Sequence, residues 1–375
     1  MIPINELSFT GNEAKYLKEC IETGWISSEG PFVRRFEEGF ASFLGLKHGI
    51  AVSNGTAALE TALFALGVKA GDEVIMPSFT IISCAIACIR LGAKPVLVDI
   101  EPDTCTIDVL RIKAKITKKT KVIMPVHIYG HPVDMDGVLK LARDYKLKIL
   151  EDFAEAQGTQ YYSKYAGGKW LKCGSIGDIA ATSFYANKVI TSGEGGMVLT
   201  NNQEYERRAR AYRNLCFGEK ERFNHADLGY NFRMTNMQAA VGVARLEQIE
   251  KFIKIKRKLA EYYKSRLSEI KQVRFLTEKY YAKSVYWVYA IELKPEAGMQ
   301  AKELMKRLGA YKIGTRPFFK GMHKQPALIK LRLFKGQRYP NADLAYQYGL
   351  YLPSGLALTE RQVDKVTESL KLALR

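Results

Sequence analysis

The sequence predicts an α/β fold: a mainly parallel sheet flanked by helices, followed by a smaller C-terminal α+β unit. Three observations predict it. Short apolar runs at Asp72–Pro77, Pro95–Val98, Val122–Val126 and Lys148–Leu150 alternate with stretches of helical periodicity. Each run closes on polar residues, where ligands collect in such sheets. A long segment poor in Gly and Pro, Met237–Leu267, then leads to one further strand, Val285–Leu293, and a closing amphipathic helix, Thr359–Leu374. This places a large domain over residues 1–245 and a small domain over 246–375.

The elements follow in order. Asn12–Thr23 has helical spacing, with Ala14, Leu17, Cys20 and Ile21 on one side. After a loop at Gly24–Pro31, the phenylalanines of Phe32–Leu44 repeat at helical intervals. His48–Val52 is a short strand that runs into Ser53-Asn54-Gly55-Thr56, where a helix begins. A strand, a small-residue turn and a helix N-terminus make a ready anion site, because free amides and the helix dipole point at the ligand. The same residues also serve as an ordinary N-cap. Ser78–Leu91 and Val138–Tyr145 read as helices, and Lys148–Leu150 as a buried strand ending on Glu151-Asp152.

Composition narrows the function classes. The 375 residues include six cysteines, none in a C-x-x-C pair, so reduced and mostly buried thiols are expected. No histidine lies close in sequence to Asp152, which argues against a metal site there. The net charge of +18 is spread over clusters such as Lys113–Lys121, Lys251–Lys258 and Lys330–Arg338. No nucleic-acid-binding signature accompanies them, so a basic surface that attracts an anionic substrate is the expected role. No apolar run is long enough to span a bilayer, and M-I-P-I-N-E-L carries no secretory signal, so a cytoplasmic protein is expected.

Two charged residues stand out. Lys188 lies between an apolar run, Ile179–Phe184, and the turn Ser192-Gly193-Glu194-Gly195-Gly196. A lone lysine in such surroundings is costly to bury unless its pKa falls or it forms a covalent bond; a snorkelling lysine beside a turn is the plainer reading. Asp152 ends a buried-type strand, where a carboxylate can cap a helix, bind a metal or pair with a protonated ring nitrogen. A lysine for a Schiff base, a carboxylate for a pyridinium and a helix N-terminus for a phosphate are together what pyridoxal phosphate requires.

At this point the chain resembles the DegT family of sugar aminotransferases, within the fold-type I group of pyridoxal phosphate enzymes. The matching pieces are G-W-I-S-S-E-G-P-F-V, S-N-G-T-A-A-L, E-D-F-A-E-A, G-S-I-G-D-I-A-A-T-S-F-Y-A-N-K, T-S-G-E-G-G-M, G-Y-N-F-R-M-T-N-M-Q-A-A and the late L-P-S, in family order over nearly the whole chain. The resemblance implies that Lys188 bonds the cofactor and moves the proton, Asp152 pairs with the pyridinium, and Glu155 lies near the phenolic oxygen. It implies a phosphate cradle of Gly55, Thr56 and Ser183, completed by Asn231 from a partner subunit, hence a homodimer with shared sites. Arg233, His323 and Phe79 are carried over as substrate-side residues. The activity implied is transfer of an amino group from glutamate to a nucleotide-linked keto sugar. The runs S-E-G-P-F-V-R-R-F-E-E and F-Y-A-N-K-V-I-T-S-G-E-G-G-M resemble the branch acting at C4 of GDP-4-keto-6-deoxymannose. UDP- or dTDP-linked sugars and an 8-keto-octulosonate type are the alternatives. A dehydratase of this fold has histidine at the position of Lys188. Two departures are visible. Ile81 stands where relatives carry an aromatic residue, leaving ring packing to an apolar side chain or to Phe79. Tyr161–Cys173 is longer than the family's short turn, as a nucleotide clamp, a dimer contact or a surface hairpin.

Overall fold

The computed structural model describes residues 1–217, 223–225 and 227–375. Helices α1 (Glu13–Glu22) and α2 (Pro31–Leu44) precede β1 (His48–Val52) and α3 (Gly55–Ala65). The alternation continues through β2 (Glu73–Pro77), α4 (Ser83–Arg90), β3 (Lys94–Val98), α5 (Val109–Ile112), β4 (Thr120–Ile123), α6 (Met135–Tyr145) and β5 (Lys148–Asp152). A hairpin, β6 (Gln160–Ser163) and β7 (Lys169–Lys172), is followed by β8 (Ile179–Ser183), β9 (Gly196–Thr200) and α7 (Gln203–Arg213).

Seven of these strands form one sheet in the order β1-β9-β8-β5-β4-β2-β3. β3, β2, β4, β5 and β8 run parallel, and β9 is antiparallel to both of its neighbours. β2 and β9 are buried at every position, as expected of strands covered by helices on both faces. The helices are locally well specified. α2 starts on Pro31 and stops at Gly45, whose φ of 76° a glycine adopts without steric cost. α3 is capped by the Asn54 side chain, which accepts from the Ala57 amide.

The C-terminal part departs from the sequence reading in three places. The segment Met237–Leu267 is two helices, α8 (Asn236–Leu246) and α9 (Ile249–Leu267), rather than one. The break falls at Glu247 and Gln248, whose side chains are tied to Asn12, Tyr16, Arg35 and Thr10. No Gly or Pro marks it, so the periodicity runs through. Next, the run Val285–Leu293 is extended only over β12 (Tyr289–Leu293), between β10 (Val273–Phe275) and β14 (Gly349–Leu352). Tyr286 takes a φ of 48° and interrupts it, while β11 (Ala282–Lys283) joins the β6–β7 hairpin. Finally, the N-terminal residues, expected with the large domain, pack on the small one. Ile2 pairs with Ile313 and lies in the core of that unit.

The small unit is completed by α10 (Ala301–Ala310), β13 (Arg316–Pro317), α11 (Pro326–Lys330), α12 (Pro340–Tyr348) and α13 (Glu360–Ala373). Its antiparallel sheet has the order β10-β12-β14-β13. The two units share a boundary: Phe318, Met322 and Tyr339 belong to the core of the large unit. The segment Tyr161–Cys173 is a hairpin that turns Tyr161 inward, where its hydroxyl reaches Asp134, and pairs Tyr162 with Trp170 on the other face. Among the described residues, no helix is long and apolar enough to cross a membrane.

Candidate active site

The loops after β5 and β8 and the start of α3 enclose a cavity of about 700 Å³, to which the small unit adds Trp287, Phe319 and Tyr351. Its position at the carboxyl ends of parallel strands is where a doubly wound sheet places ligands.

Lys188 does not sit at the strand end itself. β8 stops at Ser183, and a turn closed by the Lys188 amide on the Tyr185 carbonyl (2.9 Å) carries the lysine into the cavity. Its side chain is 10% exposed, with Nζ 3.6 Å from Glu155 Oε1 and 3.9 Å from the centroid of the Trp287 ring. Gln157 holds both ends of this loop. Its amide nitrogen donates to the Ser183 carbonyl at 3.0 Å, and its oxygen accepts from the Ile190 amide at 2.8 Å.

Asp152 ends β5 and is buried. One oxygen accepts from the Cys84 thiol at 3.3 Å, the other from the Ala154 amide at 3.1 Å. Among the described residues no cation forms an ion pair with it, and burial raises its pKa. Its neighbour Glu151 fixes the strand end from below, accepting from the amides of Gly174, Ile176 and Gly177 and from His127 Nε2. The His127 tautomer follows, since its Nδ1 accepts from the Val133 amide.

Glu155 accepts from the Tyr129 amide at 2.8 Å. Burial pushes its carboxyl up to about 7 and lowers the Lys188 amine, each opposed by attraction to the other. Both shifts have the same cause: for each group the dehydration of burial outweighs the attraction of its partner. Over the window from 4.5, its ordinary value, to about 7, the folded chain holds a proton on Glu155 that the unfolded chain has lost. The resulting stability is fully present below pH 4.5 and is lost as the pH rises through 7. Glu155→Gln is expected to flatten this slope, which thermal unfolding of the cofactor-free protein at pH values on either side of the window measures.

The start of α3 meets the end of β8 here. A Cβ on Gly55 would lie 2.7 Å from Ser183 Cβ, so only glycine permits this approach. Thr56 donates to Ser83 Oγ at 2.9 Å. Gly55, Thr56 and Ser183 therefore border the cavity together, beside helix amides that have no intrahelical acceptor.

Four sequence candidates lie elsewhere. Phe79 is fully buried among Tyr129, Phe318 and Phe319, and Ile81, 44% exposed, borders the cavity in its place. The apolar option for that wall is therefore the observed one. Asn231 is exposed beside Asn214, outside this chain's own cavity. Arg233 donates to Asn214 Oδ1 at 2.6 Å, and its backbone pairs with Val52. His323 is buried against Tyr339 with Nε2 3.0 Å from Asp343 Oδ1. Sequence reasoning in turn missed Ser83, Gln157, Trp287, Phe319 and Tyr351. Gln157 directly follows the E-D-F-A-E-A run, and Trp287 lies within the run Val285–Leu293 read as a strand.

Comparison with known proteins places this geometry. The description of the DegT/DnrJ/EryC1/StrS aminotransferase family matches residues 8–371. The chain is 39% identical to the GDP-perosamine synthase of Caulobacter vibrioides, over 97% of this chain and 96% of that one. It is 40% identical to the GDP-perosamine synthase of Vibrio cholerae, over 99% and 98%. A structure of a Streptococcus pneumoniae protein in its PLP form superposes with a TM-score of 0.90 at 25% identity, over 100% of this chain and 98% of the other.

Proposed function

We propose, from the premise that this chain belongs to the DegT/DnrJ/EryC1/StrS aminotransferase family, that it transfers an amino group from glutamate to C4 of GDP-4-keto-6-deoxy-D-mannose, forming GDP-perosamine. The GDP-linked substrate rests on the two relatives of that name, matched over nearly their full length. The observation that carries the reaction class is the convergence of Lys188, Asp152, Glu155 and the α3 N-terminus on one cavity.

Enzymes of this family depend on pyridoxal phosphate, and the residues present fit it. The α3 amides with Thr56, Ser83 and Ser183 would hold its phosphate. Asp152, a buried carboxylate in no ion pair among the described residues, would face the ring nitrogen, and Asn187 Oδ1 is a buried acceptor with no partner among the described residues. Bound there, the cofactor supplies an electron sink for the carbon that gains or loses the amino group. The negative charge of Asp152 would favour a proton on the ring nitrogen. Lys188, its amine made less basic by burial, takes up and returns a proton at the reacting carbon. Glu155, 3.6 Å from Lys188 Nζ, is the carboxyl group paired with that amine. Ile81, Trp287 and Tyr351 give the cavity an apolar and aromatic wall.

Homodimerisation belongs to the same reading. Asn231 lies outside its own chain's cavity, in keeping with service to the site of a second subunit, and Arg233 lies beside it. His323 would act at the sugar side only through the turn it shares with Met322, whose amide donates to the Ser78 carbonyl.

The test is turnover of the loaded enzyme with glutamate and 4-keto-6-deoxy sugars linked to GDP, dTDP and UDP. The GDP sugar is expected to give the highest kcat/KM, with the amino product identified by mass. A higher value for dTDP or UDP sugars overturns the nucleotide assignment, and no product from any of them overturns the reaction class.

A further inference from the structure

We propose that Lys256 is a positioning residue for Lys188: its buried amine ties the Trp287 carbonyl to the Ser354 carbonyl and so fixes the indole against the reactive amine. The proposal rests on the reading of Lys188 as that amine.

Lys256 lies on α9, 5% exposed. Its Nζ donates to the Trp287 carbonyl at 2.7 Å and to the Ser354 carbonyl. No carboxylate pairs with it among the described residues. A buried amine is costly, and an apolar side chain of similar length would fill the same space at lower cost. What only an amine does here is satisfy two main-chain carbonyls from separate segments, the approach to β12 and the turn after β14. The Ser354 amide in turn donates to the Ile4 carbonyl at 3.0 Å, which brings the N-terminal residues to the same junction. Burial draws the Lys256 amine down to about 7.

The approach to β12 needs holding. Tyr286, one residue before the indole, has a φ of 48°, an unfavourable conformation for a bulky residue. α9 grips this segment at three points: Arg257 donates to the Ser284 carbonyl at 2.6 Å, Lys264 to the Tyr286 hydroxyl at 2.6 Å, and Lys256 to the Trp287 carbonyl. Only the last of the three acts on the residue that touches the lysine. From the held main chain the indole reaches the catalytic loop twice. Its N–H donates to the Asn187 carbonyl at 2.8 Å, and its face lies 3.9 Å from Lys188 Nζ. The charged groups facing Lys188 are Glu155 and Asp152, both from the β5 side. The indole is thus the contribution of the small unit to the electrostatics of that amine, and it favours the ammonium form.

The experiment titrates the Lys188 amine in cofactor-free full-length protein by competitive labelling with mass-spectrometric readout. Trp287→Leu keeps the amine covered but removes the ring quadrupole, and it is expected to lower the Lys188 titration midpoint by about 0.5 to 1.5 pH units. Lys256→Met is expected to lower it in the same direction by less. Added to Trp287→Leu, Lys256→Met is expected to cause no further shift. Lys256→Gln, which retains an N–H donor group, is expected to restore part of the effect. A Lys256→Met shift of equal size in both backgrounds, or no shift at all, overturns the proposal. Should no Lys256 variant fold, an unchanged midpoint in Trp287→Leu overturns it alone. Failure of wild-type protein to bind pyridoxal phosphate through Lys188 would be seen separately, as the absence of a visible absorption band, and would sink the functional reading rather than this measurement.

Discussion

Lys188→Ala is expected to lower amino transfer by at least about 10⁴-fold, the upper end of what a single positioned acid–base group contributes. Among the described residues, Lys188 is the only lysine that borders the cavity, so no neighbouring amine can take over its proton. Lys188→Arg is expected to be nearly as inactive. A guanidinium retains the charge beside Glu155 and Asp152 but does not release a proton near neutrality. Folding should survive the change to alanine. Lys188 is buried at a net dehydration cost, as its lowered pKa shows, so removing it relieves rather than creates an unfavourable burial. Single-turnover rates with glutamate, measured beside thermal unfolding, separate the two effects. Lost stability with retained rate would contradict the assignment.

Asp152→Asn is expected to cost about 10²–10³-fold in kcat, the range for removing one fixed electrostatic contribution in a buried site. The amide has the shape of the carboxylate, and its oxygen can still accept one of the two hydrogen bonds now made by Cys84 and Ala154. What is lost is the negative charge that keeps the ring nitrogen protonated. Asp152→Asn should therefore fold and bind the cofactor, with weakened affinity, while turning over slowly. A variant with near-normal kcat would show that the carboxylate serves only to cap the turn before Ala154.

The sheet and its site-bearing strand ends were legible because their signals are local. Short runs closed by Ser53-Asn54-Gly55-Thr56, Glu151-Asp152 and Ser183 announce both the strand and the polar end that a ligand meets. What failed was structure decided by partners distant in sequence. The break between α8 and α9 comes from side chains of the N-terminal helices that bind Glu247. The interruption before β12 comes from Tyr286, held by α9. Ile2 enters the small unit by pairing with a residue more than three hundred positions away. The site shows the same division. Lys188, Asp152, Glu155, Gly55, Thr56 and Ser183 sit in motifs with unusual composition. Trp287 and Tyr351 sit in ordinary apolar strand sequence, where an aromatic that lines a cavity reads the same as one that fills a core. Phe79 was misplaced for the complementary reason: it is the bulkier apolar neighbour of Ile81, yet it points into the core while Ile81 takes the exposed position.

The most direct test is the absorption spectrum of the purified protein with pyridoxal phosphate, before and after glutamate is added. The account predicts a visible band from cofactor bound through Lys188, bleached by glutamate and restored by the GDP-linked 4-keto sugar. Absence of the band from protein that has taken up the cofactor, or an unchanged band in Lys188→Ala, would contradict it.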